Sequence, residues 1–102
     1  MDKVFKALGD PTRRQILQLL REREMSAGEI AEFFVLAKPT LSGHFNVLRE
    51  AELVVSEKTG TTITYRLNVS VLEEALLGFA NVFGMGITTA RRAALKKEKR
   101  HA

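Results

Sequence analysis

The chain has 102 residues, enough for one domain, and no cysteine, which excludes disulfides, thiolate metal sites and cysteine redox sensing within it. Its net charge of +4 is unevenly spread. Residues 91–102 hold six basic side chains (Arg91, Arg92, Lys96, Lys97, Lys99, Arg100) against Glu98, a net +5, which leaves −1 for residues 1–90.

The near-neutral body, residues 1–90, is expected to be the folded unit, with 91–102 as a basic tail. Any affinity of the body for nucleic acid must then come from local placement of charge. The tail either adds sequence-independent attraction to phosphates or remains a solvated end. No apolar run reaches the length of a signal peptide or of a membrane span, so a soluble, cytoplasmic protein without membrane insertion is expected.

In chain order, residues 2–8 form a short amphipathic piece with Val4, Phe5 and Leu8 on one side, and Gly9 breaks it. Asp10 and Pro11 then supply an N-cap and a first helical residue. Ile16, Leu17 and Leu20 follow at helical spacing, and Arg21-Glu22-Arg23 closes this helix. Ser26 and Glu29 have the spacing of a capping box and open a third helix in which Ile30, Phe33 and Phe34 are expected to be buried. Val35-Leu36-Ala37 is a turn. A fourth helix follows from Lys38, with Leu41, Phe45 and Leu48 facing the core. Two short helices joined by a tight turn make a helix-turn-helix.

After Ala51 the period changes from 3.6 to 2. Leu53–Glu57 and Thr62–Leu67 read as two strands around a Lys58–Thr61 turn, with Ile63, Tyr65 and Leu67 inward. Ser70 and Glu73 have the spacing of a second capping box, which would open a long last helix over residues 70–90. Leu72, Leu76, Phe79, Val82, Phe83 and Ile87 form its apolar stripe, either a dimer seam or a cover for the monomer core. Gly78, Gly84 and Gly86 on the same helix suit close helix–helix approach or a helix soft enough to switch. The predicted class is mainly α with a β-hairpin wing (α+β), in the order α-α-α-α-β-β-α: a winged helix-turn-helix.

The fourth helix carries the most information. No acid occurs between Glu32 and Glu50, and Lys38, Thr40, Ser42, Gly43 and Asn46 lie off its apolar face, with His44 at the boundary. Small polar groups on an acid-free helix start suit a DNA major groove. The chain shows no nucleophile–base pair, metal cluster or glycine-rich phosphate loop, and its two histidines are too few for most acid–base schemes. No enzymatic activity and no cofactor are expected.

Three segments in order, Asp10–Leu17, Lys38–Phe45 and Gly60–Leu67, resemble the ArsR-type winged-helix transcriptional repressors. The segments Val4–Pro11 and Met25–Ala31 look closest to a metal-independent branch that includes the autorepressor of a Bacillus toxin-immunity system. The resemblance implies a homodimer that represses transcription from a palindromic double-stranded operator. It also implies a dimer interface of the first and last helices, here Val4, Phe5, Leu8, Leu72, Leu76, Phe79, Val82, Phe83 and Ile87. Many members of the family sense metals through cysteines at positions held here by Ser26 and Gly28, which cannot ligate a soft metal. Others use histidines and acids on the last helix, where residues 70–90 offer only Glu73 and Glu74. Ala37 stands where the family usually caps the recognition helix with serine, and Gly43 where a larger side chain is common.

On this fold Lys38 would meet a phosphate or a guanine, and Thr40 and Ser42 a base edge or phosphate. His44 would donate to DNA or pack within the helix-turn-helix, and Asn46 would reach adenine only if long enough. Lys58, Thr59 and Thr61 at the wing tip suit the DNA backbone or minor groove. Arg66, Arg13 and Arg14 could touch phosphate, an internal pairing being the alternative for at least one of the last two. Release from the operator would fall to a ligand, a sequestering protein partner or autoregulation. A winged-helix module for protein interaction, with no operator, is the competing function.

Overall fold

The computed structural model describes residues 2–85; Gly86, Ile87 and the basic tail lie outside the described residues. Five helices and three strands follow in the order α1 (Asp2–Leu8), α2 (Pro11–Glu22), β1 (Met25–Ser26), α3 (Ala27–Ala31), α4 (Lys38–Glu50), β2 (Val54–Thr59), β3 (Thr62–Leu67) and α5 (Val69–Val82). This is the expected winged helix-turn-helix with one addition. Met25 and Ser26 pair antiparallel with Tyr65 and Thr64, so the sheet has three strands in the order β1-β3-β2. Two residues show no period, and their partners lie about forty positions away, so alternation could not reveal the strand.

Local chemistry sets most boundaries. The Asp10 carboxylate accepts from the N–H groups of Thr12 (2.8 Å) and Arg13 (3.2 Å), which caps α2 ahead of Pro11. The Ser26–Glu29 capping box forms reciprocally, at 3.1 and 3.0 Å. The second one does not form. Helix α5 starts from Asn68, two residues before Ser70, because the Asn68 N–H donates to the Leu53 carbonyl (2.9 Å) and fixes where β3 ends. That tether from the hairpin overrides the local signal at Ser70 and Glu73.

Two further expectations are corrected. Helix α3 stops at Ala31, so helical spacing no longer governs Phe33, which is 59% exposed, while Phe34 stays half-buried. Helix α5 stops at Val82 rather than running toward residue 90. Gly84 adopts φ +63° and ends it in a Schellman turn, with Met85 N–H on the Ala80 carbonyl (2.8 Å) and Gly84 N–H on that of Asn81 (3.2 Å). The same turn ends α4 with Leu53 N–H on the Leu48 carbonyl (3.1 Å) and Glu52 N–H on that of Arg49 (2.9 Å), but there the left-handed residue is Glu52, at φ +60°.

The core is built from Ile16, Leu17, Leu20, Ile30, Leu41, Phe45, Leu48, Leu53 and Tyr65 with smaller residues between them. Fully burying each of the large aliphatic side chains is worth about 2 kcal/mol. The Phe45 and Tyr65 rings stack with centroids 4.5 Å apart, joining α4 to β3. Among the described residues no charged side chain is fully buried.

Candidate nucleic-acid interface

Helix α4 buries Leu41, Phe45 and Leu48 and turns Lys38, Thr40, Ser42, Gly43 and Asn46 to solvent. The solvent-exposed side and first turn of α4 therefore carry five of the residues expected to meet DNA. Its start is open: Ala37 occupies the N-cap position with no side-chain hydrogen bond, and Pro39 removes one of the N–H groups near the terminus. A helix start left in this state favours an anion such as a phosphate. A Cβ added at Gly43 would meet nothing within 4 Å, so the backbone there can approach a flat surface closely. Asn46 is exposed, but its amide oxygen accepts from Arg49 Nη2 at 3.0 Å. Bidentate reading of adenine would require Arg49 to release it.

The wing is a tight hairpin. Its ladder runs from Val54↔Leu67 to Thr59↔Thr62, so the strands extend further than expected and only Gly60 and Thr61 form the turn. Gly60 takes φ +62°, the positive value that a two-residue turn with glycine first demands. Lys58, Thr59 and Thr61 are exposed at this tip, and Arg66 is exposed on β3. Burial pushes the Tyr65 phenol up, against a downward pull from the Arg49 charge.

Arg13 and His44 sit differently from their neighbours in the sequence reading. Arg13 Nε donates to the Ala7 carbonyl (2.8 Å), Nη2 to that of Lys6 (2.9 Å), and Nη1 lies 3.1 Å from His44 Nδ1. Arg14 Nη1 donates to the Leu8 carbonyl (2.7 Å). The two arginines thus satisfy the last three carbonyls of α1. The His44 side chain is 16% exposed, packed inside the helix-turn-helix with Asp10 Oδ1 4.0 Å from its Nδ1. Burial pushes the Asp10 carboxyl up, but the N–H groups of Arg13 and Thr12, with the Arg13 charge, hold it below its ordinary value.

The other surface of interest is α5. Ala75 and Ala80 are buried, Leu72 packs on the core, and Leu76, Phe79, Val82 and Phe83 face outward, the last two 74% and 65% exposed. Phe5 reaches this strip with its ring centroid 4.9 Å from that of Phe79, which in turn lies 4.8 Å from Phe83. Leu8 is half-buried, Val4 is turned into the core, and Ile87 lies outside the described residues. Sequence reasoning also missed exposed apolar groups beside the start of α4: Phe33, the fully exposed Val35, and Leu36. Helical spacing had placed Phe33 inside, and nothing in a three-residue turn signals exposure.

A recognition helix with no acid before its last residue, Glu50, flanked by a wing with Lys58 at its tip, defines a winged helix-turn-helix DNA-binding regulator. Residues 10–56 match the family model described as bacterial regulatory protein, arsR family. The chain is 44% identical over 86 residues to the transcriptional repressor SdpR of Bacillus subtilis, covering 84% of this chain and 96% of that one. It is 40% identical over 95 residues to the HTH-type transcriptional regulator KmtR of Mycobacterium tuberculosis, covering 90% and 73% respectively. An ArsR-like transcriptional regulator from Rhodococcus sp. RHA1 superposes with a TM-score of 0.71 at 31% identity, covering 95% of this chain and 89% of that one. The chain belongs to the ArsR family of transcriptional regulators, as its motifs implied, and the family consists of regulators and not enzymes.

Proposed function

We propose that the chain is a homodimeric repressor of a palindromic operator that works without sensing a metal. The observation that carries this reading is the outer face of α4, where Lys38, Thr40, Ser42, Gly43 and Asn46 are all exposed on a helix whose other side is locked into the core. Lys38 and the open helix start grip phosphate, Thr40 and Ser42 face base edges, and Lys58, Thr59, Thr61 and Arg66 follow the flanking backbone. Dimerisation is supported by the outward apolar strip of Leu76, Phe79, Val82 and Phe83, which a lone subunit leaves in water. Two copies of α4 would then enter grooves about one helical turn apart.

Metal independence is supported by Ser26 and Gly28, which cannot ligate a soft metal, at the sensing positions of other members. Of the routes of release, a ligand, a protein partner or autoregulation, the last two then gain weight.

Selection from random duplex DNA at physiological salt, with the full chain, tests the proposal. Enrichment of an inverted repeat with half-sites one turn apart is the expected result. Binding with no enriched motif would overturn it in favour of a protein-interaction module.

A further inference from the structure

Among the described cations that the sequence placed near DNA, Arg13 has the most donors already committed, three against one for Arg14. Three of its donor groups meet acceptors on two other helices: the Lys6 and Ala7 carbonyls at the end of α1, and His44 Nδ1 on α4. A guanidinium can only donate, so in this contact Nδ1 accepts, which calls for the His44 tautomer protonated on Nε2. Reaching a phosphate would strip the Ala7 carbonyl and the His44 ring nitrogen of this donor at once, and would leave the Lys6 carbonyl with the Gly9 N–H alone. The backbone of Arg13 is itself pinned, through its N–H, to the Asp10 cap.

We infer that Arg13 is a positioning residue for DNA recognition: it touches no DNA but clasps the recognition helix to the end of α1. The inference rests on the DNA-binding reading above. Helices α1 and α2 both pack on α4, and α1 carries Phe5 against the outward strip of α5. The clasp therefore connects the element that reads DNA to the elements proposed for the dimer seam. Its fork geometry matters: a lysine at this position carries the same charge but cannot span three acceptors. Without the clasp α4 must be repositioned before it docks, so affinity falls while the docked complex keeps the same phosphate contacts.

The test uses the full chain, the duplex enriched by selection, and two variants, Arg13→Met and Arg13→Lys. Both are expected to bind about tenfold more weakly, the scale of one charge-assisted hydrogen bond, with an unchanged slope of log affinity against log salt. In the free protein, nitrogen-15 spectra of the wild type should show His44 protonated on Nε2, and Arg13→Met should lose that preference. A phosphate-contacting Arg13 predicts the opposite pattern: Arg13→Met lowers the salt slope by about one and Arg13→Lys restores affinity. That pattern, or a His44 signal indifferent to Arg13, overturns the inference. A wild-type protein that binds no selected duplex overturns the DNA-binding reading instead, and the spectra then judge the clasp alone. Arg13→Lys keeps charge and length, so it separates the clasp from a loss of folding.

Discussion

Helices α4 and α5 are nearly equal in length, 13 and 14 residues, and end in the same backbone turn, yet they present opposite chemistries to solvent. The outer face of α4 is small, polar and free of acid at its start. That of α5 exposes Glu73 and Glu74 near its start but carries an apolar strip from Leu76 on, with phenylalanines near its end. The difference separates two tasks: one surface suits a polyanion, the other suits more protein. Their ends differ too. At α4 the left-handed position is held by Glu52, because Leu48 and Leu53 on either side of the turn are both fully buried and hold the chain there. At α5 the turn lies in exposed chain, and Gly84 makes it without strain.

The sharpest way to break the contrast is to place a charge on α5. Val82→Glu, at a position already exposed in the single chain, should weaken self-association at least about 30-fold by analytical ultracentrifugation while leaving the melting curve of the subunit intact. Removing a charge from α4 is next. Lys38→Gln should weaken binding to the selected duplex about tenfold and lower its salt slope by about one.

The two helix ends can then be exchanged. Gly84→Ala forces a Cβ into φ +63° and should cost about 1 kcal/mol in denaturant unfolding. Glu52→Gly relieves the matching strain and should gain about 0.5–1 kcal/mol. Gly43→Ala should add a similar amount, since a Cβ there meets nothing and alanine favours helix; weaker DNA binding in that variant would show that the missing side chain serves close approach.

The smallest expected effect concerns the two capping carboxylates. Partial burial pushes Asp10 up, but backbone N–H groups hold it below its ordinary value; Glu29 is lowered by the Ser26 N–H and by Arg23. A carboxylate more acidic in the folded state adds stability above its unfolded pKa, near about 4, and loses it as pH falls through the lowered value. Thermal stability should therefore drop below about pH 4, and Asp10→Asn with Glu29→Gln should flatten that drop.

The elements legible in the sequence are those specified by neighbours along the chain. Asp10-Pro11, the Ser26–Glu29 pair, the Leu41/Phe45/Leu48 spacing and the alternation of residues 62–67 each act within one or two turns, and each appears as read. Features set across the fold were not legible. Strand β1 exists because β3 lies beside it, α5 starts early because Asn68 is tied to Leu53, and Phe33 is exposed because α3 stops short. The site divides in the same way. Exposure along α4 follows from its period, whereas the engagement of Arg13 depends on His44, 31 positions further on. A cation near a predicted groove carries no mark of where its donors will go.

The two residue pairs that join β1 to β3, with the Phe45–Tyr65 stack, leave the wing little freedom to swing against the recognition helix. In the proposed dimer each subunit then behaves as one stiff jaw, and the pair works as a caliper. Such a device measures spacing as well as sequence. One base pair added between half-sites turns the second by about 35°, and a rigid jaw cannot follow. Operators of this protein should tolerate changes of base more readily than changes of length.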